Sequence, residues 1–139
     1  VAELTDGDTL VLSLSGRDEK VRLVGIDTPE TKKPGTPVEC FGHEASTRLA
    51  ELVPVGTDVR IERDAEARDR YGRLLAYVYR RSDNLFVNLA MVRDGYAGQL
   101  TIAPNTTYAA EFSAAEREAR SDQRGLWPQC GGNHEPADG

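Results

Sequence analysis

Three carboxylates and two arginines stand at turns where their types and spacing suit phosphate chemistry. Arg22-Leu-Val-Gly-Ile-Asp27-Thr28-Pro29-Glu30 reads as a strand entering a proline-bearing turn, with Asp27 and Glu30 on either side of it. Upstream lies a second acidic turn, Asp6-Gly7-Asp8-Thr9, and downstream a third turn, Asp69-Arg70-Tyr71-Gly72-Arg73. If the three meet, Asp8 and Asp27 with a backbone carbonyl and water suit a hard cation, Ca²⁺ or Mg²⁺, since no soft ligand is present. Arg22 and Arg73 supply guanidinium forks matched to phosphate oxygens. Such a cation polarises a phosphoryl oxygen, the arginines stabilise the transition state and leaving oxygen, and Glu30, slightly farther out, orients or deprotonates a water. On the residues alone a second reading stays open. Charged turns are common, and these could be solvated surface.

Strands must deliver those turns. Asp8 to Leu14 alternates, with Leu10, Leu12 and Leu14 on one face, and Ser15-Gly16-Arg17-Asp18 suits a hairpin turn. Val21 to Ile26 is the next expected strand, with Arg22, Val24 and Ile26 on one face, so Arg22 needs an anionic partner. Thr31 to Val38 is expected as a mobile loop from which Lys32 and Lys33 either reach a polyanion or are simply solvated. A helix beginning near Gly42 or His43 places Phe41, Ala45, Leu49 and Leu52 on one face and stops at Pro54-Val55-Gly56. His43 reads as an exposed first-turn residue.

Thr57 to Arg63 and Tyr71 to Arg80 are further strands, the second carrying Arg73 at the start of a face shared with Leu75, Tyr77 and Tyr79. Asn84 to Gly95 reads as a short strand and a helix capped by Gly95. Tyr96 to Thr101 suggests another short strand. Pro104-Asn105 opens the last helix, with Tyr108, Phe112, Ala115 and Ala119 on its apolar face and Glu116–Arg120 as an i,i+4 pair. Gly125-Leu126-Trp127-Pro128 ends it, Trp127 reading as a core plug. Residues 131–139 are expected to form a disordered tail.

At 139 residues, with 39% hydrophobic and 29% charged residues, the chain suits one globular domain. No apolar run approaches the roughly 20 residues of a membrane-spanning helix. The opening Val1-Ala2-Glu3-Leu4 resembles part of a strand rather than a signal peptide, so a mature or trimmed form is expected. A net charge of −6 and a pI near 4.9 argue, taken alone, against nucleic acid. A bound divalent cation reverses the local sign, however, and global charge bears on solubility and encounter rate rather than site chemistry. Cys40 and Cys130 lack metal-ligand spacing. They are either two free thiols or, the preferred reading, a disulfide tying the first helix to the C-terminal segment, which implies an oxidising compartment.

Asp6-Gly7-Asp8-Thr9, Arg22 through Glu30, Tyr71-Gly72-Arg73 continuing into Leu75-Ala76-Tyr77, and Pro104-Asn105 together resemble the staphylococcal (micrococcal) nuclease family, over nearly all of the chain to about Trp127. The resemblance implies an α+β OB-fold, a five-stranded β-barrel with three α-helices. It implies Ca²⁺-dependent hydrolysis of DNA and RNA to 3′-phosphate and 5′-hydroxyl products by a secreted or cell-envelope monomer. By position it implies Asp8 and Asp27 as Ca²⁺ carboxylates and Thr28 as a backbone-carbonyl ligand. Glu30 matches the proposed general base, Arg22 and Arg73 the phosphate-binding arginines, and Tyr71 a nucleotide-contacting tyrosine. Arg70 stands where the family often has lysine. Cys40 and Cys130 resemble a bridged, secreted subgroup. The expected organisation is a nuclease domain over 1–128 and a C-terminal segment over 129–139 with Cys130 and a flexible tail.

The chain departs from the family in three respects. It is acidic where the type member is basic. Leu100, Thr101 and Ile102 occupy a region, one residue shorter, where base-stacking tyrosines are expected. Thr36 stands near the place of a loop lysine. Weaker substrate affinity and steep salt dependence follow. From another functional class, a catalytically silent OB-fold module binding nucleic acid or protein is the alternative; the complete acid–arginine set favours the enzyme, because fold alone grants no activity.

Overall fold

The structure, a computed structural model, describes residues 1–31 and 38–135. Lys32, Lys33 and Thr36 lie outside the described residues. The leucine alternation produces an antiparallel meander of β1 (Glu3–Asp6), β2 (Thr9–Leu14) and β3 (Arg17–Leu23). Ser15 and Gly16 turn β2 into β3 with φ of 53° and 82°, the positive values that suit a tight hairpin. β5 (Val59–Glu62) and β6 (Leu74–Arg80) form an antiparallel pair, joined to β3 by a parallel β3–β6 ladder. The sheet order is β1-β2-β3-β6-β5, with the two-residue β7 (Leu85–Phe86) also on β6. At the outer edges, the Val1 nitrogen donates to Thr57 O at 2.8 Å and Gly56 N donates to Val1 O at 2.8 Å. The start of the first strand thereby meets the chain leading into β5, the arrangement of a five-stranded OB-fold.

Helices close this sheet over one apolar core. α1 (Gly42–Leu52) buries Ala45, Leu49 and Leu52, the expected face. α2 (Val87–Arg93) buries Val87, Ala90, Met91 and Val92. α3 (Ala109–Ser121) buries Phe112, Ala115 and Ala119. It begins five residues after Pro104, because Asn105 is spent elsewhere: its side chain exchanges hydrogen bonds with Glu66 N (2.7 Å) and Glu66 O (3.1 Å). A short fourth helix, α4 (Leu126–Cys130), follows. There Leu126 is the fully buried residue, while Trp127 is only half-buried, under the Arg120 guanidinium at 4.2 Å. Trp127 is therefore not the expected core plug. Among the described residues no helix is long and apolar enough to cross a membrane.

The expected strand from Val21 to Ile26 is in fact two. β3 stops at Leu23, and β4 (Gly25–Asp27) pairs instead with β8 (Gly98–Leu100). Gly25 makes the break. Its φ is +86°, and a Cβ there would lie 2.1 Å from the Phe112 ring, so only glycine fits between backbone and α3. The break re-aims Asp27 away from the line of β3. Asn88, fully buried, welds the broken ends: its Nδ2 donates to Val24 O (2.9 Å) and Ala76 O (3.2 Å), and its Oδ1 accepts from Val78 N (2.9 Å).

Cys40 and Cys130 form a disulfide spanning 90 positions. Residues 131–135, expected to begin a flexible tail, lie against the domain, with Glu135 O accepting from Cys40 N at 2.7 Å. Two stability measurements follow. Asn88→Ala removes the side-chain partners of Val78 N and Val24 O, while Ala76 O keeps its bond from Val24 N, so urea unfolding should show a loss of about 2–3 kcal/mol. Reducing the disulfide should cost about 2–5 kcal/mol by the same assay, the range for removing a bond that closes a long loop.

Candidate active site

Asp8 follows the bulged end of β1 and Asp27 ends β4, and Arg22 sits in β3 between them. Arg22 Nη2 lies 3.4 Å from Asp8 Oδ2 and 3.7 Å from Asp27 Oδ1, and Nη1 donates to Leu23 O at 2.6 Å. The anionic partner expected for Arg22, which stands between the buried Val21 and Leu23, is thus supplied twice. Asp8 is buried and also accepts from Thr9 Oγ1 (3.0 Å) and Thr28 N (3.3 Å). Thr28 is buried with its Oγ1 lacking a hydrogen-bond partner among the described residues. Asp6 joins the cluster, accepting from Gly7 N, Thr31 Oγ1 and Ser46 Oγ. Burial, reinforced by the charges of Asp8 and Glu30, pushes the Asp6 carboxyl above its usual range despite those hydrogen bonds.

Asp8 and Asp27, gathered on one guanidinium with Thr28 beside them, offer oxygen donors, the chemistry Ca²⁺ takes. Among the described residues no group of three or more His, Cys, Asp or Glu side chains is assembled to enclose an ion. The residues fit an open site, whose shell needs a backbone carbonyl, water and substrate oxygens to be complete.

The third turn is held by Asp69. Its Oδ1 accepts from Tyr71 N (2.9 Å) and Arg73 N (3.0 Å), and its Oδ2 accepts from Arg73 Nε at 2.7 Å. Burial alone would raise the Asp69 carboxyl, but the hydrogen bonds and charge of Arg73 hold it below its usual value. Tyr71, 69% exposed, is flanked by the guanidinium of Arg70 at 4.9 Å and that of Arg73 at 5.6 Å from its ring centre. The β3–β6 ladder sets Arg22 opposite Leu75, two residues beyond Arg73. Arg22, Arg70, Tyr71 and Arg73 therefore line one cleft of about 300 Å³. Leu75, Leu100, Ile102 and Pro104 give the same cleft an aliphatic part, and Glu66 and Asp69 also line it. Arg22 belongs to both the cleft and the carboxylate cluster.

Glu30 is half-buried, and its backbone exchanges two hydrogen bonds with Glu39: Glu30 N donates to Glu39 Oε1 (2.6 Å) and Glu39 N donates to Glu30 O (2.9 Å). Sequence reasoning missed Glu39 and its neighbours from the C-terminus. His134 Nδ1 lies 2.5 Å from Glu39 Oε1, and His134 Nε2 contacts Asp27 Oδ2. Asn133 Nδ2 donates to Asp27 O at 2.8 Å. Burial disfavours a charged His134, but hydrogen bonds to Asp27 and Glu39 outweigh it and raise its pKa. The available signal was topological: a bond from Cys40 to Cys130 necessarily carries the residues after Cys130 to the loop that holds Glu30.

Residues 20–129 match the sequence model of the staphylococcal nuclease homologue family. The chain is 40% identical over 127 residues to the thermonuclease of Staphylococcus intermedius, covering 91% of this chain and 74% of that protein. It is 35% identical over 127 residues to the thermonuclease of Staphylococcus hyicus, covering 91% of this chain and 73% of that protein. It is 41% identical over 128 residues to the endonuclease YncB of Bacillus subtilis, of which it spans 59%. An OB-fold sheet, an acid–arginine cluster beside a basic cleft, and sequence similarity along most of its length converge, and the chain belongs to the staphylococcal nuclease family.

Proposed function

We propose that this chain is a Ca²⁺-dependent endonuclease that hydrolyses phosphodiester bonds of DNA and RNA to 3′-phosphate and 5′-hydroxyl products. The observation that carries the reading is the position of Arg22, in contact with Asp8 and Asp27 while lining the cleft of Arg70, Tyr71 and Arg73. One phosphate at that boundary can meet both. Asp8, Asp27 and the Thr28 carbonyl would hold Ca²⁺, which when bound supplies Lewis-acid polarisation of the phosphoryl oxygen.

The chain's own groups do the rest. Arg22 and Arg73 place guanidinium donors on the phosphate, where their charge counts most as negative charge builds on its oxygens. Glu30 orients a water toward phosphorus and takes its proton as the P–O5′ bond opens, and the departing O5′ takes a proton from solvent to become the 5′-hydroxyl. Arg70 and Tyr71 grip the neighbouring nucleotide from the cleft's polar wall. The aliphatic wall of Leu100 and Ile102, 39% and 65% exposed, offers apolar contact to a base with no preference for its identity. Lys32 and Lys33 are proposed as further contacts to the strand. The disulfide supports an oxidising, extracellular or cell-envelope setting, and a monomer is proposed.

The acidic composition favours a second reading, a silent OB-fold binding module. Hydrolysis of denatured DNA separates the two. Cleavage should require Ca²⁺, cease with chelator, and fall about 10²–10⁴-fold in kcat for Glu30→Gln, the range lost with a general base. No Ca²⁺-dependent cleavage by the unaltered chain removes the enzyme reading, and full activity in Glu30→Gln removes the role of Glu30.

A further inference from the structure

The hydrolysis described above makes no use of the C-terminal segment, yet that segment touches Asp27 directly and reaches the Glu30 backbone through Glu39. The two oxygens of Asp27 face different ways. Oδ1 is turned toward Arg22 and hence toward Asp8, while Oδ2 is held by His134 Nε2. On the other side of the imidazole, His134 Nδ1 meets Glu39 Oε1, the same oxygen that accepts the Glu30 backbone N–H. Asp27 and Glu30 are thus joined directly along the chain and a second time through His134 and Glu39. Asn133 adds a donor to the Asp27 carbonyl and packs on Gly98, where a Cβ would lie 3.1 Å from its Nδ2, at the end of the β4–β8 pair.

The segment has the marks of a built element. It is fastened beside Glu39 by the Cys40–Cys130 disulfide and by the hydrogen bond from Cys40 N to Glu135 O. His134 holds a φ of +62°, a left-handed conformation uncommon for a non-glycine residue. The segment follows residues 20–129, the stretch that matches the family model.

We propose that Asn133, His134 and Glu39 are positioning residues for hydrolysis, a disulfide-fastened bracket that fixes the Asp27 carboxylate relative to the Glu30 turn. The proposal rests on the reading of Asp27 as a cation ligand and Glu30 as the base. Because His134 takes Oδ2, it leaves Oδ1 directed at the Asp8 side, so the bracket orients the ligand rather than covering it. A ligating carboxylate whose second oxygen is hydrogen-bonded is held in one rotamer, and losing such a partner typically weakens metal affinity or activity about 10–100-fold.

The test is Ca²⁺ titration of the full, oxidised chain at fixed pH by calorimetry, with the half-activating Ca²⁺ concentration for cleavage of denatured DNA measured in parallel. His134→Ala should weaken Ca²⁺ by about tenfold or more and lower kcat at saturating Ca²⁺, with KM for DNA little changed. Asn133→Ala should move the same quantities in the same direction. His134→Gln, which keeps an N–H donor within reach of Asp27, should recover most of the loss; a merely structural contact would lower the melting temperature without altering Ca²⁺ affinity. Opening the disulfide with Cys40→Ser and Cys130→Ser should mimic His134→Ala, and if that double variant does not fold, the His134 pair still decides. Unchanged Ca²⁺ response in His134→Ala and Asn133→Ala overturns the bracket while leaving the nuclease reading intact. Tighter Ca²⁺ binding in them overturns it in favour of an inhibitory lid. An unaltered chain that neither binds Ca²⁺ nor cleaves in its presence overturns the nuclease reading itself, and the bracket with it.

Discussion

The structure turns on one guanidinium. Arg22 stands on a strand whose neighbours Val21 and Leu23 are fully buried, where a lone positive charge would be costly. Asp8 and Asp27 would repel each other if brought together without a counter-charge. Each problem answers the other, provided the start of β2 and the ends of β3 and β4 meet at one place. Removing one partner from such a cluster leaves an uncompensated charge, which is far more destabilising than the intact cluster is stabilising. The constraint therefore specifies geometry more than it adds stability, and it accounts for the devices around it. Gly25 breaks the strand so that Asp27 can turn back, and Asn88 satisfies the backbone groups exposed by that break.

The same geometry separates two kinds of work. On one side of Arg22 lie oxygen donors drawn close enough for burial and repulsion to raise a carboxyl; on the other lies a cleft with guanidinium groups along one wall. A chain of net charge −6 can thus present a basic face to a phosphate, because Asp69 holds Arg73 in place through its Nε and leaves the remainder of the fork to the cleft. That arrangement favours local recognition over long-range attraction. The aliphatic residues of the cleft offer contact area with little directional demand.

Local patterns made much of this legible. The leucine alternation of β2, the apolar stripes of α1 and α3, the Ser15-Gly16 turn and the need of Arg22 for anions all follow from period, turn chemistry and charge. What escaped was set by contacts between distant parts of the chain. Nothing near Val24 in sequence announces that the Phe112 ring will occupy the space where a residue-25 side chain would stand, so one strand was expected where there are two. Asn105 reads as a helix opener until Glu66 claims its side chain. Trp127 reads as core by composition, but its neighbour Leu126 takes the buried position. Asn133 and His134 read as tail because the segment is built of Gly, Pro, Asn and Asp, and their partners lie more than 90 residues away, His134 to Glu39 at 95 and Asn133 to Asp27 at 106.

That last group shows why the disulfide matters to more than stability. His134 is exposed, and exposed charge contacts are worth only about 0.2–1 kcal/mol each. Separately, none would hold a free chain end against the entropy of ordering it. Cys130 lies four residues before His134 and is bonded to the residue after Glu39, so forming those contacts is an intramolecular event at high effective concentration. Weak contacts then suffice, and they fall on the carboxylate and the backbone amide that flank the proposed reaction. A bond that spans most of the chain to fasten its end to the first loop converts an otherwise negligible set of surface hydrogen bonds into a defined support for Asp27 and Glu30.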